Sequence, residues 1–435
     1  MQSSSPELTP LSDQPENQFD VVVIGAGAAG LVAAERAATL GRRTLLVEKN
    51  RRPGVKILIS GGTRCNLTHA TDRRGIVTAY GPPGRFLHSA LAALGPAELV
   101  ALVENEGVPT KIEPGTGKIF PESDRATDVL AAFVARLSRS PCERALSEAV
   151  VEIERTEAGF QLTTEHRKLE TPRVIITTGG QSYPGCGTTG DAYRWMTQLG
   201  HTLVPPRPAL TPVTTSDTWV TDLRGITMPD TVLRLIEPGN PDQPNAKPRV
   251  LDTRRGSLLF AHFGLTGPVA LDISRWVSGH ARPQSLRLEC DFLPNVAPAA
   301  LAEQLRSDAM SAGRKQLLSL IPELIPRRLA EAMLANAQLH PETKAAELSK
   351  AGRAALAHSI KNLPIRVNGT RGFAKAEVTA GGVPLDEVDS RTMQSKIVPG
   401  LFLAGEVLDL DGPIGGYNFQ AAFSTGWLAG MSVSQ

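Results

Sequence analysis

The order of apolar runs and glycine-rich turns predicts a nucleotide-binding α/β unit near the start of the chain. Residues 21–24 form an uninterrupted apolar run, which is typical of a parallel strand buried on both faces. A glycine-rich turn at residues 25–30 follows directly, and an Ala-rich helical pattern then extends to about Leu40. A second apolar run, residues 44–47, ends at Glu48. This strand–turn–helix–strand order is the opening βαβ unit of a Rossmann-type domain.

Further along the chain, helical and strand patterns continue to about residue 190 and then change. The predicted elements of this stretch are helices near residues 96–107 and 127–137 and strands near residues 149–155, 160–164 and 174–176. Proline-rich sequence with short β-type runs between residues 200 and 295 predicts an antiparallel sheet or β-barrel. Residues 296–362 carry Ala, Leu, Glu, Lys and Arg at helical spacing, which predicts a helical subdomain. Strand patterns at residues 373–379 and 400–404 predict a return to the parallel sheet.

These patterns divide the 435 residues into an interrupted nucleotide domain and an insert. A chain of this length exceeds the ~250–300 residues at which a single core stops growing. Our predicted segments are a disordered tail (1–18), the first part of the nucleotide domain (19–190), the insert (191–367) and the second part of the nucleotide domain (368–435). The Ser-, Pro- and Glu-rich tail lacks the apolar core of a signal peptide. We therefore expect a cytoplasmic location.

The glycine turn after the first strand predicts a site for a dinucleotide pyrophosphate. In the pattern GxGxxG, Gly25 permits the tight turn, Gly27 lets the pyrophosphate approach the backbone, and Gly30 lets the helix pack on the strand. The helix that begins at Ala28 offers unpaired N–H groups and partial positive charge to the phosphates. Glu48 lies 18 residues after Gly30, where an acid accepts hydrogen bonds from the ribose hydroxyls and repels a 2′-phosphate. This motif alone suits FAD or NAD.

Two further segments favour FAD over NAD. The apolar run 174–176 leads into Thr178, Gly179 and Gly180, a second glycine turn that can pass the cofactor. Near the end of the chain, a strand pattern closes at Glu406, whose carboxylate can hold the ribityl hydroxyls. The turn at residues 415–418 then begins a helix, whose N-terminus would face the flavin edge that becomes negative on reduction.

Five motifs give the chain a resemblance to a known family. They are Gly25–Gly30, Lys56–Asn66 (KILISGGTRCN), Phe263–Pro268 (FGLTGP), Val378–Val383 (VTAGGV) and Gly400–Gln420. With these motifs the chain resembles the flavoprotein family that contains BaiN-like reductases and aminoacetone-oxidase-like proteins. The resemblance implies FAD in a Rossmann-type two-dinucleotide-binding domain with an inserted β-barrel and a helical subdomain. Thr63 stands where the family pattern usually has glycine.

The motifs and the resemblance together give a set of candidate site residues. The predicted cofactor-binding residues are Gly25, Gly27, Ala28, Ala29, Gly30, Glu48, Lys49, Lys56, Arg64, Cys65, Asn66, Thr178, Gly179, Gly180, Gly405, Glu406, Gly415, Gly416, Tyr417 and Asn418. Arg64 and Asn66 can equally stabilise their own loop. The predicted proton donors are Tyr417 and His262, the latter with an unperturbed pKa of ~6.5, although each can also be purely structural.

Composition and charge narrow the function classes. No apolar run reaches the ~20 residues of a membrane span, so we expect no membrane partner. The four cysteines form no CxxC pair, which argues against a zinc ribbon or a disulfide framework, and we expect no metal. The insert carries 21 Lys and Arg against 16 Asp and Glu. That excess is compatible with an anionic substrate or with a merely solvated surface.

The leading hypothesis is an FAD-dependent oxidoreductase, specifically a reductase that is fed by NAD(P)H and acts on an unsaturated small molecule. The insert contains no second GxGxxG in a βαβ frame, so NAD(P)H would enter the substrate cavity only transiently. The resemblance leaves open an amine oxidase that makes hydrogen peroxide and a reductase of uridine in RNA. The arginine pairs Arg254-Arg255 and Arg327-Arg328 suit RNA phosphates. The non-enzymatic alternative is a flavin-bound redox sensor or scaffold.

Overall fold

A computed structural model describes residues 17–239, 247–311, 313–321 and 325–434 of the chain. The predicted tail therefore lies outside the described residues except for Asn17 and Gln18. Gln18 forms an isolated β-bridge with Glu170.

A five-stranded parallel sheet forms the centre of the nucleotide domain. From one edge to the other its strands are Leu401–Leu403, Val174–Ile176, Val21–Ile24, Thr44–Glu48 and Glu143–Leu146. Every residue of Val21–Ile24 is buried, which explains why this strand is an apolar run rather than an alternating one. The pattern at residues 400–404 thus joins the parallel sheet as predicted. The one at 373–379 does not, because Val378–Gly382 pairs antiparallel with Val204–Ala209.

Helices and small sheets complete this domain. The helices Thr218–Asp222 and Pro268–Ser278 belong to the barrel region. The other helices of this part of the fold are Ala28–Thr39, Val55–Thr63, Arg73–Tyr80, His88–Ala93, Pro96–Glu104, Ala126–Arg139, Asp191–Gln198 and Tyr417–Ser432. One antiparallel sheet consists of Val150–Thr156, Gly159–Thr164 and Lys168–Thr171, and another of Thr68–His69, Lys118–Pro121 and Thr110–Ile112.

The first and last helices join the two halves of the interrupted domain. Gly426 and Gly430 of the last helix lie against the backbone of the first helix. A Cβ at Gly426 would lie 2.2 Å from the carbonyl oxygen of Ala29, and one at Gly430 would lie 2.4 Å from that of Ala33. This close packing places the C-terminal turn beside the N-terminal glycine turn.

Seven antiparallel strands, six within the insert and one just after it, form a single sheet that we call the barrel. Their order is Leu363–Arg366, Arg287–Asp291, Thr227–Glu237, Arg249–Ala261, Gly264–Thr266, Val213–Thr214 and Gly369–Thr370. Seven strands spaced ~4.8 Å apart would separate the edges of a flat sheet by about 29 Å. The two outer strands are consecutive in the chain, however, and the residues that join them span only about 10 Å. The sheet therefore curls so that its two edge strands lie close together, although no hydrogen-bonded pairing joins them in the described residues. It extends beyond the predicted limits at residues 295 and 367.

The predicted helical subdomain contains the helices Pro298–Ser311, Arg327–Asn336 and Lys350–Lys361, which share one apolar core with the barrel. A buried ion pair of 2.7 Å between Lys361 and Asp291 links the last of these helices to a barrel strand. The Lys361 ammonium also donates to the carbonyl oxygens of Leu293 and Val296. Because each of its three protons has an acceptor, this charge is tolerated in the core.

Thr63 carries backbone strain at the position where the family pattern has glycine. Its φ is +69°, in the left-handed region that a β-branched residue rarely adopts. We expect Thr63→Gly to raise the free energy of unfolding by up to about 1 kcal/mol. Glycine removes the backbone strain of the folded state, and this gain exceeds the stability lost because glycine makes the unfolded chain more flexible. Urea unfolding measures the change. The control Thr78→Gly, inside the helix Arg73–Tyr80, should lower stability, and a fall for both variants would contradict the strain.

Candidate active site

A deep cavity of about 810 Å³ lies between the parallel sheet and the barrel. This volume is within the ~300–1,000 Å³ typical of ligand sites. Its wall combines the glycine turn, the end of the second strand, the C-terminal turn, and Leu210, Leu259 and Pro268 from the insert. Most of the predicted cofactor-binding residues line this wall; Gly30, Cys65, Gly180 and Tyr417 do not.

The three glycines of the first turn differ in what a side chain would meet. A Cβ at Gly25 would lie 2.8 Å from the Thr177 carbonyl oxygen, and one at Gly30 would lie 1.8 Å from that of Gly25. A Cβ at Gly27 would meet no atom within 4 Å, and Gly27 lines the cavity. Gly25 and Gly30 are therefore required by backbone packing. Gly27 leaves room in the cavity beside the start of the helix Ala28–Thr39, as a pyrophosphate requires.

The end of the second strand places charged groups on the cavity wall. The Glu48 carboxylate accepts hydrogen bonds from the backbone N–H groups of Ala26 (2.7 Å) and Asn50 (2.8 Å). One bond to each oxygen orients the group and leaves further lone pairs for ribose hydroxyls. Lys49 forms an ion pair with Asp191. This is the geometry expected of an adenosine-ribose site.

Glu406 is held by both halves of the nucleotide domain. Its carboxylate pairs with the Lys56 ammonium at 2.6 Å and accepts the Thr379 backbone N–H at 2.9 Å. Gly180 lies behind the wall, where a Cβ would be 2.4 Å from the Thr379 hydroxyl oxygen and 3.0 Å from a Glu406 carboxylate oxygen. Gly180 thus acts by permitting this close approach rather than by touching a ligand.

The C-terminal turn is fixed by side-chain amides. With its amide oriented to satisfy both partners, Asn66 accepts the Gly416 N–H at 2.8 Å and donates to the Thr68 carbonyl oxygen at 3.0 Å. Asn418 accepts the Gly412 N–H at 2.8 Å and donates back to the Gly412 carbonyl at 3.0 Å. These bonds hold the start of the last helix toward the cavity.

Arg64 and Cys65 are neighbours in one loop but lie in different surroundings. The Arg64 guanidinium forms an ion pair with Glu113 at 3.1 Å and lies 4.0 Å above the Phe120 ring, so it stabilises its own loop at the cavity edge. Cys65 is fully buried in the apolar core, and burial raises the pKa of its thiol to about 12. In this structure the Cys65 side chain lies in the core and not on the cavity wall.

Neither predicted proton donor reaches the cavity wall. Tyr417 stacks on the His69 ring at 4.7 Å between centroids, and burial raises the pKa of its phenol. His262 is exposed and packs edge-on against Phe263 at 4.9 Å. Tyr417 follows the turn, but neither it nor His262 is among the residues that line the cavity in this structure. Their catalytic roles stay predictions.

Two charged wall residues, Lys118 and Glu377, were missed by sequence reasoning. Neither side chain has a hydrogen bond or a close ion pair to any residue in the described part of the chain. The pKa of Glu377 is raised, chiefly because the carboxyl group is buried. The negative charge of Asp272 adds to this shift, while the positive charges of Lys56 and Lys118 oppose it. Glu377 immediately precedes the Val378–Val383 motif, which could have indicated it. No sequence pattern indicates Lys118.

The arginine pairs of the insert are engaged within the protein. Arg254 pairs with Asp252 at 2.8 Å, Arg255 with Asp230 at 2.7 Å and Arg327 with Glu331 at 2.9 Å, while Arg328 donates to the Asp222 carbonyl oxygen. Because these side chains already have partners within the protein, the arginine pairs are weaker support for RNA binding than the sequence suggested.

Within the described residues, no group of three or more His, Cys, Asp or Glu residues is arranged to hold a metal ion. No single helix in the same part of the chain is long and apolar enough to cross a membrane, although the bent pair Pro82–Ala93 and Pro96–Glu104 passes by length and composition.

Comparisons with known proteins match the chain over nearly its whole length. The family model described as "HI0933-like protein Rossmann domain" matches residues 19–432. A ribosomal RNA dihydrouridine synthase of Escherichia coli is 32% identical over 96% of this chain and 98% of the relative. A 3-dehydro-bile acid delta(4,6)-reductase of Clostridium scindens is 28% identical over 95% and 98%. A solved 3-ketosteroid-delta4-(5alpha)-dehydrogenase of Rhodococcus jostii is 15% identical, with a TM-score of 0.48 over 97% of this chain and 98% of that one.

Proposed function

Since the chain belongs to the HI0933-like Rossmann-domain family, whose members are FAD-dependent oxidoreductases, we propose that it is a reductase fed by NAD(P)H. Its substrate is a compound with a carbon–carbon double bond conjugated to a carbonyl group. One observation carries this proposal: the dinucleotide cradle and the insert wall belong to the same cavity. A cofactor whose phosphates lie at Gly27 would therefore share one cavity with a substrate that contacts the insert residues.

The bound flavin supplies reversible two-electron chemistry, accepting hydride from one partner and delivering it to another. The protein supplies position and electrostatics. Gly27 would admit the pyrophosphate, Glu48 would hold the adenosine ribose, and Glu406, which is paired with Lys56, would hold the ribityl hydroxyls. The N-terminus of the helix Tyr417–Ser432 would favour negative charge on the flavin ring.

A conjugated double bond is the chemistry that the names of the relatives share. Dihydrouridine arises when the uracil 5,6-double bond, which is conjugated to a ring carbonyl, is reduced. A 3-dehydro bile acid with 4,6-unsaturation carries the same unit in a steroid. Hydride adds readily to such a bond because the carbonyl accepts the displaced electron pair, and a proton then completes the reaction.

RNA uridine is the second candidate substrate, favoured by the relative that is 32% identical. To separate the candidates, the purified enzyme is incubated anaerobically with NADPH and either an unmodified ribosomal RNA transcript or a 3-oxo-4,6-diene bile acid. Mass spectrometry detects a gain of two hydrogens in the reduced acceptor. Reduction of either acceptor supports the reductase. If neither acceptor is reduced and the enzyme forms hydrogen peroxide from a primary amine in air, the protein is an amine oxidase instead.

Salt dependence tests the RNA candidate separately. Because phosphate contacts release counterions, RNA affinity should fall steeply with salt concentration. Affinity that is absent or independent of salt would count against RNA and in favour of a small molecule.

A further inference from the structure

Glu377 lies on the cavity wall where the insert meets the nucleotide domain, and the functions described above do not use it. We propose that Glu377 is the proton donor of the reduction, delivering its carboxyl proton to the substrate carbon next to the carbonyl. This inference rests on the proposed function and names the group that completes the reaction.

The backbone fixes Glu377 at the junction of the insert and the nucleotide domain. Its N–H donates to the Leu210 carbonyl oxygen at 3.1 Å, and the strand Val378–Gly382 begins at the next residue. Leu210, Glu377 and Val378 all line the cavity. The carboxyl group is therefore held on a rigid element, at the part of the wall where the insert contributes residues.

Glu377 is also the carboxyl group on this wall that is not engaged elsewhere. The other acids of the wall have partners: Glu48 accepts two backbone N–H groups, Glu406 pairs with Lys56, Asp191 pairs with Lys49, and Glu148 pairs with Arg167. The Glu377 carboxyl has no hydrogen bond or close ion pair within residues 17–239, 247–311, 313–321 and 325–434. A polar group left free on the wall of a cavity is available to a ligand.

The surroundings shift this carboxyl toward its protonated form. The Glu377 side chain is exposed to the cavity, but the chain packed around it partly desolvates the carboxyl group. This desolvation raises its pKa. The charges that face it are Lys56 and Lys118, which favour the carboxylate, and Asp272, which favours the acid. A carboxyl group whose pKa lies closer to neutrality is a better match for proton transfer at physiological pH.

The step balances with the hydride donor of the proposed function. FAD, when bound and reduced, would supply the hydride that adds to the β-carbon, and the electron pair of the carbon–carbon π bond would move to the α-carbon. The Glu377 O–H bond breaks, its proton forms a new C–H bond at the α-carbon, and a carboxylate remains. Water entering the cavity restores the proton before the next cycle.

The test is Glu377→Gln, measured in separate half-reactions. The variant should bind FAD and be bleached by NADPH at the wild-type rate, because neither event needs the proton. Reoxidation by whichever acceptor the wild type reduces should slow by about 10²–10⁴-fold, the usual contribution of a positioned acid. Reoxidation by the acceptor at the wild-type rate would overturn the assignment. Asp386→Asn is the matched control, since it removes an exposed carboxylate nearby in the same segment.

A second readout does not require turnover. Infrared spectra of the apoprotein, recorded over a pH titration, should show a carboxylic-acid C=O band that persists to higher pH than that of an ordinary glutamic acid. Glu377→Gln should remove this band and Asp386→Asn should retain it. Lys118→Met should keep the band to still higher pH, because the lysine lowers the pKa of Glu377. A Glu377 band that disappears at the pH of an ordinary carboxyl would overturn the assignment. If no acceptor is reduced but the band is present, the proposed function fails while the proton-bearing state of Glu377 stands.

Discussion

Gly27→Val is expected to give folded, colourless protein. The backbone at Gly27 has φ −77° and ψ −168°, which valine adopts without strain, and a Cβ there meets no protein atom within 4 Å. The new side chain instead fills the space beside the helix N-terminus. Loss of two charge-assisted hydrogen bonds to phosphate, at ~1.5–3 kcal/mol each, weakens FAD binding by on the order of 10²–10⁴-fold. The visible spectrum and FAD titration of the apoprotein measure the loss.

Gly185→Val provides the control for this substitution. A Cβ at Gly185 also meets no atom within 4 Å, and Gly185 does not line the cavity. This variant should purify yellow with full FAD content. A Gly27→Val protein that is equally yellow would mean that the cofactor does not lie where we place it.

Asp272→Asn is expected to stabilise the protein at neutral pH. Asp272 lies on the helix Pro268–Ser278 and accepts the Ile414 N–H at 2.8 Å, which ties the insert to the C-terminal turn. Burial raises its pKa from 3.8 to about 6; Arg254 opposes this shift and Asp252 adds to it. The folded protein therefore holds this proton more tightly than the unfolded chain, so stability is full below the unfolded pKa and is lost as pH rises toward 6.

The cost of ionising Asp272 at about pH 7 is at most about 3 kcal/mol, which the neutral amide avoids while still accepting the Ile414 N–H. Urea unfolding should show the gain at about pH 7 and little change at about pH 4, where both side chains are neutral. The exposed Asp386→Asn variant should change stability at neither pH. An equal gain at both pH values would show that ionisation is not the cause.

The sequence predicts the nucleotide domain better than the insert because the two depend on interactions of different range. The apolar run Val21–Ile24 and the glycine turn after it are local signals, and the structure places both as predicted. The barrel boundary is not local, since Gly369–Thr370 is a strand only through pairing with Val213–Thr214, over 150 residues earlier. For the same reason Val378–Gly382 joins a two-stranded antiparallel pair instead of the parallel sheet.

The candidate site divides in the same way. Gly27 and Glu48 follow from the spacing of one motif, and both line the cavity. Tyr417 sits beside the correct turn, yet its direction is set by stacking on His69, which sequence spacing does not reveal. Glu377 and Lys118 are more than 250 residues apart in the chain and meet at the cavity only through tertiary packing. Their importance lies in having no nearby partner, which is a property of the folded protein.

The anaerobic visible spectrum of the purified protein, recorded before and after addition of NADPH or NADH, tests the central claim most directly. Our account predicts flavin absorption bands that bleach with one of these donors and return when a conjugated acceptor is added. Flavin bands that neither donor bleaches would contradict the NAD(P)H-fed reductase, and a purified protein that neither carries nor binds FAD would contradict the cofactor site itself.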